Sequence, residues 1–138
     1  MANYRYLFAD LLTNTILAEL PLTAVNFTQQ LNTAGTFTGE LLISGVNTQN
    51  LNVASATIPA RTAVYVDRDG VLVWGGVLWA REYNSKSQRI KLTAREFESY
   101  FERRRITSDT VFTSTDQLTA VQTLITNAQA ATNGNINV

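Results

Sequence analysis

Apolar and polar positions alternate with a period of two through most of the first 92 residues, which predicts strands rather than helices. Tyr4, Tyr6 and Phe8 alternate with Arg5, Leu7 and Ala9. A Thr-Asn-Thr turn leads into Thr15–Leu20, which Pro21 ends because it has no N–H to give a ladder. Val25, Phe27 and Leu31 then share one face, with Asn26, Thr28, Gln30 and Asn32 on the other. Asn32–Gly35 reads as a turn and Phe37–Ile43 as the returning strand, while Gly45–Ala60, rich in Asn, Thr and Ser, is predicted irregular.

Asp67-Arg-Asp-Gly70 separates Thr62–Val66 from Val71–Tyr83, and Asp-Gly between two β-branched runs predicts a tight hairpin. Asn84–Ser87 predicts a second hairpin, whose return strand puts Ile90 and Leu92 inward and Arg89 and Lys91 outward. Val73–Trp79 is apolar on both faces, with Trp74, Leu78 and Ala80 on one and Val73, Val77 and Trp79 on the other. Such a strand needs cover on both sides, either as a buried central strand or with one face against another subunit. The pair Gly75-Gly76 predicts a bulge or a close backbone approach.

The period changes at Thr93. Thr93-Ala-Arg-Glu96 fits a capping box, and Phe97, Tyr100 and Phe101 recur at helical spacing, so a helix is expected near 94–103. Arg103, Arg104 and Arg105 suit its C-terminal dipole. An extended piece, Ile106–Phe112, precedes a second capping signal in Ser114–Gln117 and a helix near 115–131. Leu118, Val121, Leu124, Ile125 and Ala128 form the apolar stripe of that helix, and Asn133-Gly134 ends it. The final Asn-Ile-Asn-Val is expected to be an apolar stub that caps nothing, as in one part of a longer protein. The fold class predicted is mainly β: a small antiparallel β-barrel or bent sheet plugged by the first helix. Residues 1–105 would form the barrel domain, and 106–138 a connector strand and helix.

At 138 residues and 45% apolar, the chain supports one cored domain. Eleven basic and eleven acidic residues balance, so no net field steers it to nucleic acid or an anionic membrane. The balance is uneven locally: 1–60 carries −2, 61–105 carries +4 and 106–138 carries −2. The absence of histidine removes the usual neutral-pH acid–base group, and the absence of cysteine removes disulfides and thiolate chemistry. Met1–Asp10 lacks the basic start and apolar run of a signal peptide, and no run approaches ~18 apolar residues, so no membrane span is expected.

Candidate chemistry is sparse. Asp67, Asp69 and Gly70 resemble half a calcium loop, but Val71–Trp74 supplies no further oxygen ligand, so a turn is the better reading. Glu96 and Glu98 point to different helix faces, and Asp10 with Glu19 marks no cleft. Arg103–Arg105, with Lys86, Arg89 and Lys91, could grip phosphate, yet they interleave with Glu96, Glu98 and Glu102, as ion-pairing and capping residues do. The expectation is a structural protein, not an enzyme, with no cofactor and no metal. Trp74, Trp79, Arg103, Arg104 and Arg105 are the candidate subunit-interface or structural residues. Trp74 and Trp79 would sit on opposite faces, one in the core and one nearer a subunit contact.

Three runs in order, Arg61-Thr-Ala-Val-Tyr-Val-Asp-Arg-Asp-Gly70, Val73-Trp-Gly-Gly76 and Phe97-x-x-Tyr-Phe-x-Arg-Arg-Arg-Ile106, follow an opening of Tyr6-Leu-Phe-Ala-Asp-Leu-Leu12 and Phe27-x-x-x-Leu-Asn32. Together they resemble the N-terminal part of siphophage minor tail proteins of actinobacterial phages, related to the baseplate tail-hub family. The resemblance implies β-barrel domains in a homotrimeric ring at the virion tail tip. Such a ring joins the tail tube and tape measure to distal tail proteins and fibres or a receptor-binding apparatus. It carries over no catalytic residue. The alternative from the residues is a β-barrel module that binds carbohydrate or peptide on Trp and Tyr platforms.

Overall fold

The computed structural model describes residues 2–44, 48, 51–132 and 134–136. Seven strands, β1 (Tyr4–Asp10), β2 (Ile16–Glu19), β3 (Thr23–Phe27), β4 (Thr36–Leu42), β5 (Thr62–Arg68), β6 (Val71–Asn84) and β7 (Arg89–Glu96), form one antiparallel sheet. Its order is β2-β1-β5-β6-β7-β4-β3. Among the described residues there are also two helices, α1 (Val53–Ala56) and α2 (Gln117–Ala130), and a 3-10 helix (Phe97–Arg103).

The two edge strands are consecutive in the chain, linked only by Leu20, Pro21 and Leu22. Laid flat, seven strands would separate those edges by roughly 29 Å, whereas the link from Glu19 to Thr23 reaches at most ~14 Å. The sheet therefore curls hard, yet β2 and β3 do not pair and it stays an open, bent sheet rather than a closed barrel. The Tyr6 and Phe37 rings, on β1 and β4, meet edge-on at 6.4 Å across the interior. Bulges supply the bending: the β6 register skips Val73 opposite β5 and Trp79 opposite β7, and β1/β2 and β3/β4 each slip once.

Every strand but the two edges contributes buried residues to the inner core, through Phe8, Phe37, Leu41, Val64, Val66, Trp74, Leu78, Ile90, Leu92 and Ala94, and the edges add the half-buried Ala18, Val25 and Phe27. Leu20 and Leu22 fold into it from either side of Pro21, and α1 adds Val53. A second, outer core lies against the other face: Ala9, Leu11, Ala63, Val77, Tyr100 and Ile136, with Tyr65, Trp79, Phe97 and Phe101 packed on it. The hairpin at Asp69-Gly70 forms as expected, with φ of 54° and 88°, the left-handed pair that a type I′ turn requires. Asp67 accepts from the Gly70 amide at 3.0 Å. Ile90 and Leu92 point inward as read from the sequence.

Several expectations are corrected. The helix begins at Phe97 rather than 94, is 3-10 in form, and packs on the outer face, so it does not plug the interior. Thr93–Glu96 is strand, and its proposed capping box does not form, because Glu96 instead accepts from the Gly35 amide at 2.5 Å. Leu31 lies in the β3–β4 loop and is 90% exposed. Residues 106–112 join no ladder, so the connector is not a strand. The irregular segment before Ala60 contains α1, and the part of that expectation on residues 45–47, 49 and 50 lies outside the described residues, as does Asn133. Asp116 caps α2 by accepting from the Leu118 and Thr119 amides, but the apolar stripe of α2 buries no residue. Ile136, read as part of a stub that caps nothing, is 4% exposed in the outer core. Among the described residues no helix is long and apolar enough to cross a membrane.

Candidate interaction cleft around Trp79

The β6 bulge is what places Trp79. Leu78 stands opposite Ala94 and Ala80 opposite Thr93, so Trp79 has no partner across the ladder and its side chain is turned onto the outer face. Gly76, three residues earlier, lies where a Cβ would stand 2.1 Å from the Arg95 carbonyl oxygen. The glycine pair therefore marks a close backbone approach, and the bulges lie to either side of it.

The 3-10 helix crosses this face. Ser99, fully buried, accepts from the Trp79 indole nitrogen at 2.8 Å. One residue on, the Tyr100 hydroxyl donates toward the carbonyls of Gly134 and Ala128. The Arg103 guanidinium sits 4.2 Å from the Trp79 ring centroid, and that of Arg104 sits 4.4 Å from the Tyr100 ring. These are cation–π distances. Between them opens a cleft of about 380 Å³ with Leu11, Val77 and Ile136 on its apolar floor and Arg61 at its rim.

Arg61 is held by Asp10 at 3.1 Å. Burial alone would raise the Asp10 carboxyl. Hydrogen bonds from Arg61, the Thr13 and Leu12 amides and the Thr13 hydroxyl outweigh it and hold the group below its ordinary range. Arg95 pairs with Glu102 through both terminal guanidinium nitrogens, which lowers the Glu102 carboxyl.

A second cleft, of about 360 Å³, opens at the other end of the 3-10 helix, lined by Tyr65, Trp74, Phe97, Glu96 and Glu98. The two tryptophans thus border different clefts, although the Trp74 side chain packs on the inner face of β6 and that of Trp79 on the outer. Trp74 is 3% exposed, packed 5.3 Å from the Phe37 ring, with its indole nitrogen donating to the Thr28 carbonyl. Of the five residues singled out from the sequence, Trp79, Arg103 and Arg104 come together, Trp74 belongs to the inner core, and Arg105 is exposed and lines neither cleft. Sequence reading missed Arg61, Leu11, Ser99 and Ile136. Only Tyr100 carried a signal, as a member of the helical stripe.

Compared with the models of known protein families and with curated proteins, the chain matches none.

Proposed function

We propose that this chain is a structural subunit of a bacteriophage tail tip, a hub or minor tail protein and not an enzyme. Its copies would form a ring, a homotrimer, between the tail tube with its tape measure and the distal proteins and fibres. The observation that carries this reading is the unlike charge of the two clefts at the ends of the 3-10 helix. Glu96 and Glu98 flank the cleft at one end, and Arg103 and Arg104 flank the cleft at the other. A ring built head to tail needs two unlike, complementary patches on each subunit, and opposite charges fix register while penalising like-against-like contacts. The exposed apolar side chains of edge strand β2, Ile16 and Leu17, add surface that an assembly would cover.

The module that stacks sugars or peptides on aromatic faces finds less support. Trp74 is buried, and Arg103 occupies one face of Trp79.

Immunogold electron microscopy of phage particles, with antibody to this chain, tests the reading. Label confined to the tail tip is expected. Unlabelled particles, under conditions where another tail protein is labelled, overturn it.

A further inference from the structure

Helix α2 is half-buried along one side, at Ala120, Leu124, Ile125 and Ala128. None of its residues is fully buried. At its C-terminal end the Tyr100 hydroxyl donates toward the carbonyls of Ala128 and Gly134, and Ile136 is seated beside Leu11, Val77 and Tyr100. The connection from the body, residues 104–116, pairs with no strand. Extended, a connection of that length reaches roughly 45 Å, against a radius of gyration of about 14 Å for a compact chain of this size.

We propose that α2 and its Ile136 anchor exchange between copies, so that Ile136 of one chain fills the Leu11–Val77–Tyr100 socket of a second. The socket's occupant is already visible in its chemistry: a branched aliphatic side chain flanked by backbone carbonyls that Tyr100 can bind. Each of these contacts is the same whether made within a chain or between chains, so exchange forfeits none of them. Within one chain the connection's effective concentration, on the order of millimolar, favours the closed form. Exchange therefore needs a contact that the single chain lacks.

That contact is the exposed part of the stripe, since Leu124, Ile125 and Ala128 are half-buried in the single chain. Leu118 and Val121 are 64% and 51% exposed, and Ile106 and Val111 on the connection are exposed as well. When two connections cross, these side chains meet their counterparts from the other copy. Gln117–Ala130 contains no charged residue, so two such helices approach without repulsion. The inference rests on these contacts and holds independently of the tail-tip reading.

Light scattering on the full chain gives the first test, at concentrations up to about 1 mM, the range that competes with the tether. The wild type is expected at no less than twice its 15.3 kDa chain mass, and Ile136→Asp at the monomer mass with its far-ultraviolet sheet signal intact. A synthetic peptide of residues 117–138 contains no aromatic residue, so tryptophan fluorescence reports only Trp74 and Trp79. Titrated into the full-length Ile136→Asp chain, the peptide is expected to shift that fluorescence saturably, and the same peptide carrying Ile136→Asp to leave it unchanged. A monomeric wild type throughout the range overturns the exchange whether or not the peptide binds. If Ile136→Asp does not fold, Leu118→Lys with Val121→Lys decides, since both positions face solvent in the single chain. That double variant is expected to be monomeric, and wild-type mass in it overturns the proposal.

Discussion

The guanidinium of Arg103 stands over the ring of Trp79, 4.2 Å from its centroid. The same ring donates its N–H to Ser99, which is fully buried, so Trp79 is fixed by one cation on its face and one acceptor at its edge. Trp79→Phe keeps most of the ring but leaves the Ser99 hydroxyl without that donor, and a loss of about 2 kcal/mol is expected. Arg103→Ala removes an exposed cation–π contact and is expected to lower stability by no more than about 1 kcal/mol. Urea unfolding followed by tryptophan fluorescence separates the two effects.

Tyr100→Phe keeps the aromatic packing with Phe101 and removes the hydroxyl that holds the chain at Ala128 and Gly134. About 1 kcal/mol is lost locally. Amide exchange in α2 is expected to quicken roughly fivefold while exchange in β5, β6 and β7 stays unchanged, because the helix shares few contacts with the sheet. Equal acceleration in all four elements would show that α2 and the sheet open together.

Two glycines on or beside β6 should fail in different ways. At Gly70 there is open space but a φ of +88°, so Gly70→Ala strains only the backbone and is expected to cost about 1 kcal/mol. At Gly76 the new Cβ would meet the Arg95 carbonyl at 2.1 Å, and the ladder between β6 and β7 must shift. About 3 kcal/mol is expected there. Thermal melts of the two variants give the ranking directly, and a larger loss at Gly70 would contradict it.

The pH dependence should be a plateau with two shoulders. Asp10 is held below its ordinary value in the folded chain, so its contribution is present above the unfolded carboxylate pKa and is lost as pH falls through the folded one. Tyr6 and Tyr65 are raised by burial, so their contribution is present below the unfolded phenol pKa and is lost as pH rises through the folded one. With no histidine or cysteine, no side chain of ordinary pKa titrates between about 5 and 9. The urea midpoint is expected to be flat across that span. Asp10→Asn is expected to flatten the acid shoulder, and a midpoint that still falls as steeply in acid would assign the shoulder to other groups.

What the chain announces about itself depends on range. The Asp69-Gly70 turn and the inward Ile90 and Leu92 are set by neighbours in sequence, and both were legible. Thr93-Ala-Arg-Glu96 carries a valid local helix signal, yet its backbone is claimed on both sides, by β4 and by β6, and ladder pairing outweighs a cap. The glycine pair announced a bulge or a close approach without placing it at Trp79, and the seat of Ile136 depends on residues tens of positions away, so no local pattern encodes it. The candidate cleft was therefore half legible: Trp79, Arg103 and Arg104 stood out as residue types, while Leu11, Arg61 and Ile136 looked ordinary.

The strand order also sets a timetable for synthesis. Residues 4–42 build both flanks of the sheet, while its middle, β5 to β7, is made afterwards. β4 must wait for β7, about fifty residues later, which at ribosomal rates is roughly 3–10 s. During that interval the two early hairpins present Phe8, Phe37 and Leu41 to the cell without the strands that will cover them. Whatever shields a nascent chain has its work with this protein before residue 96 emerges, and little after it.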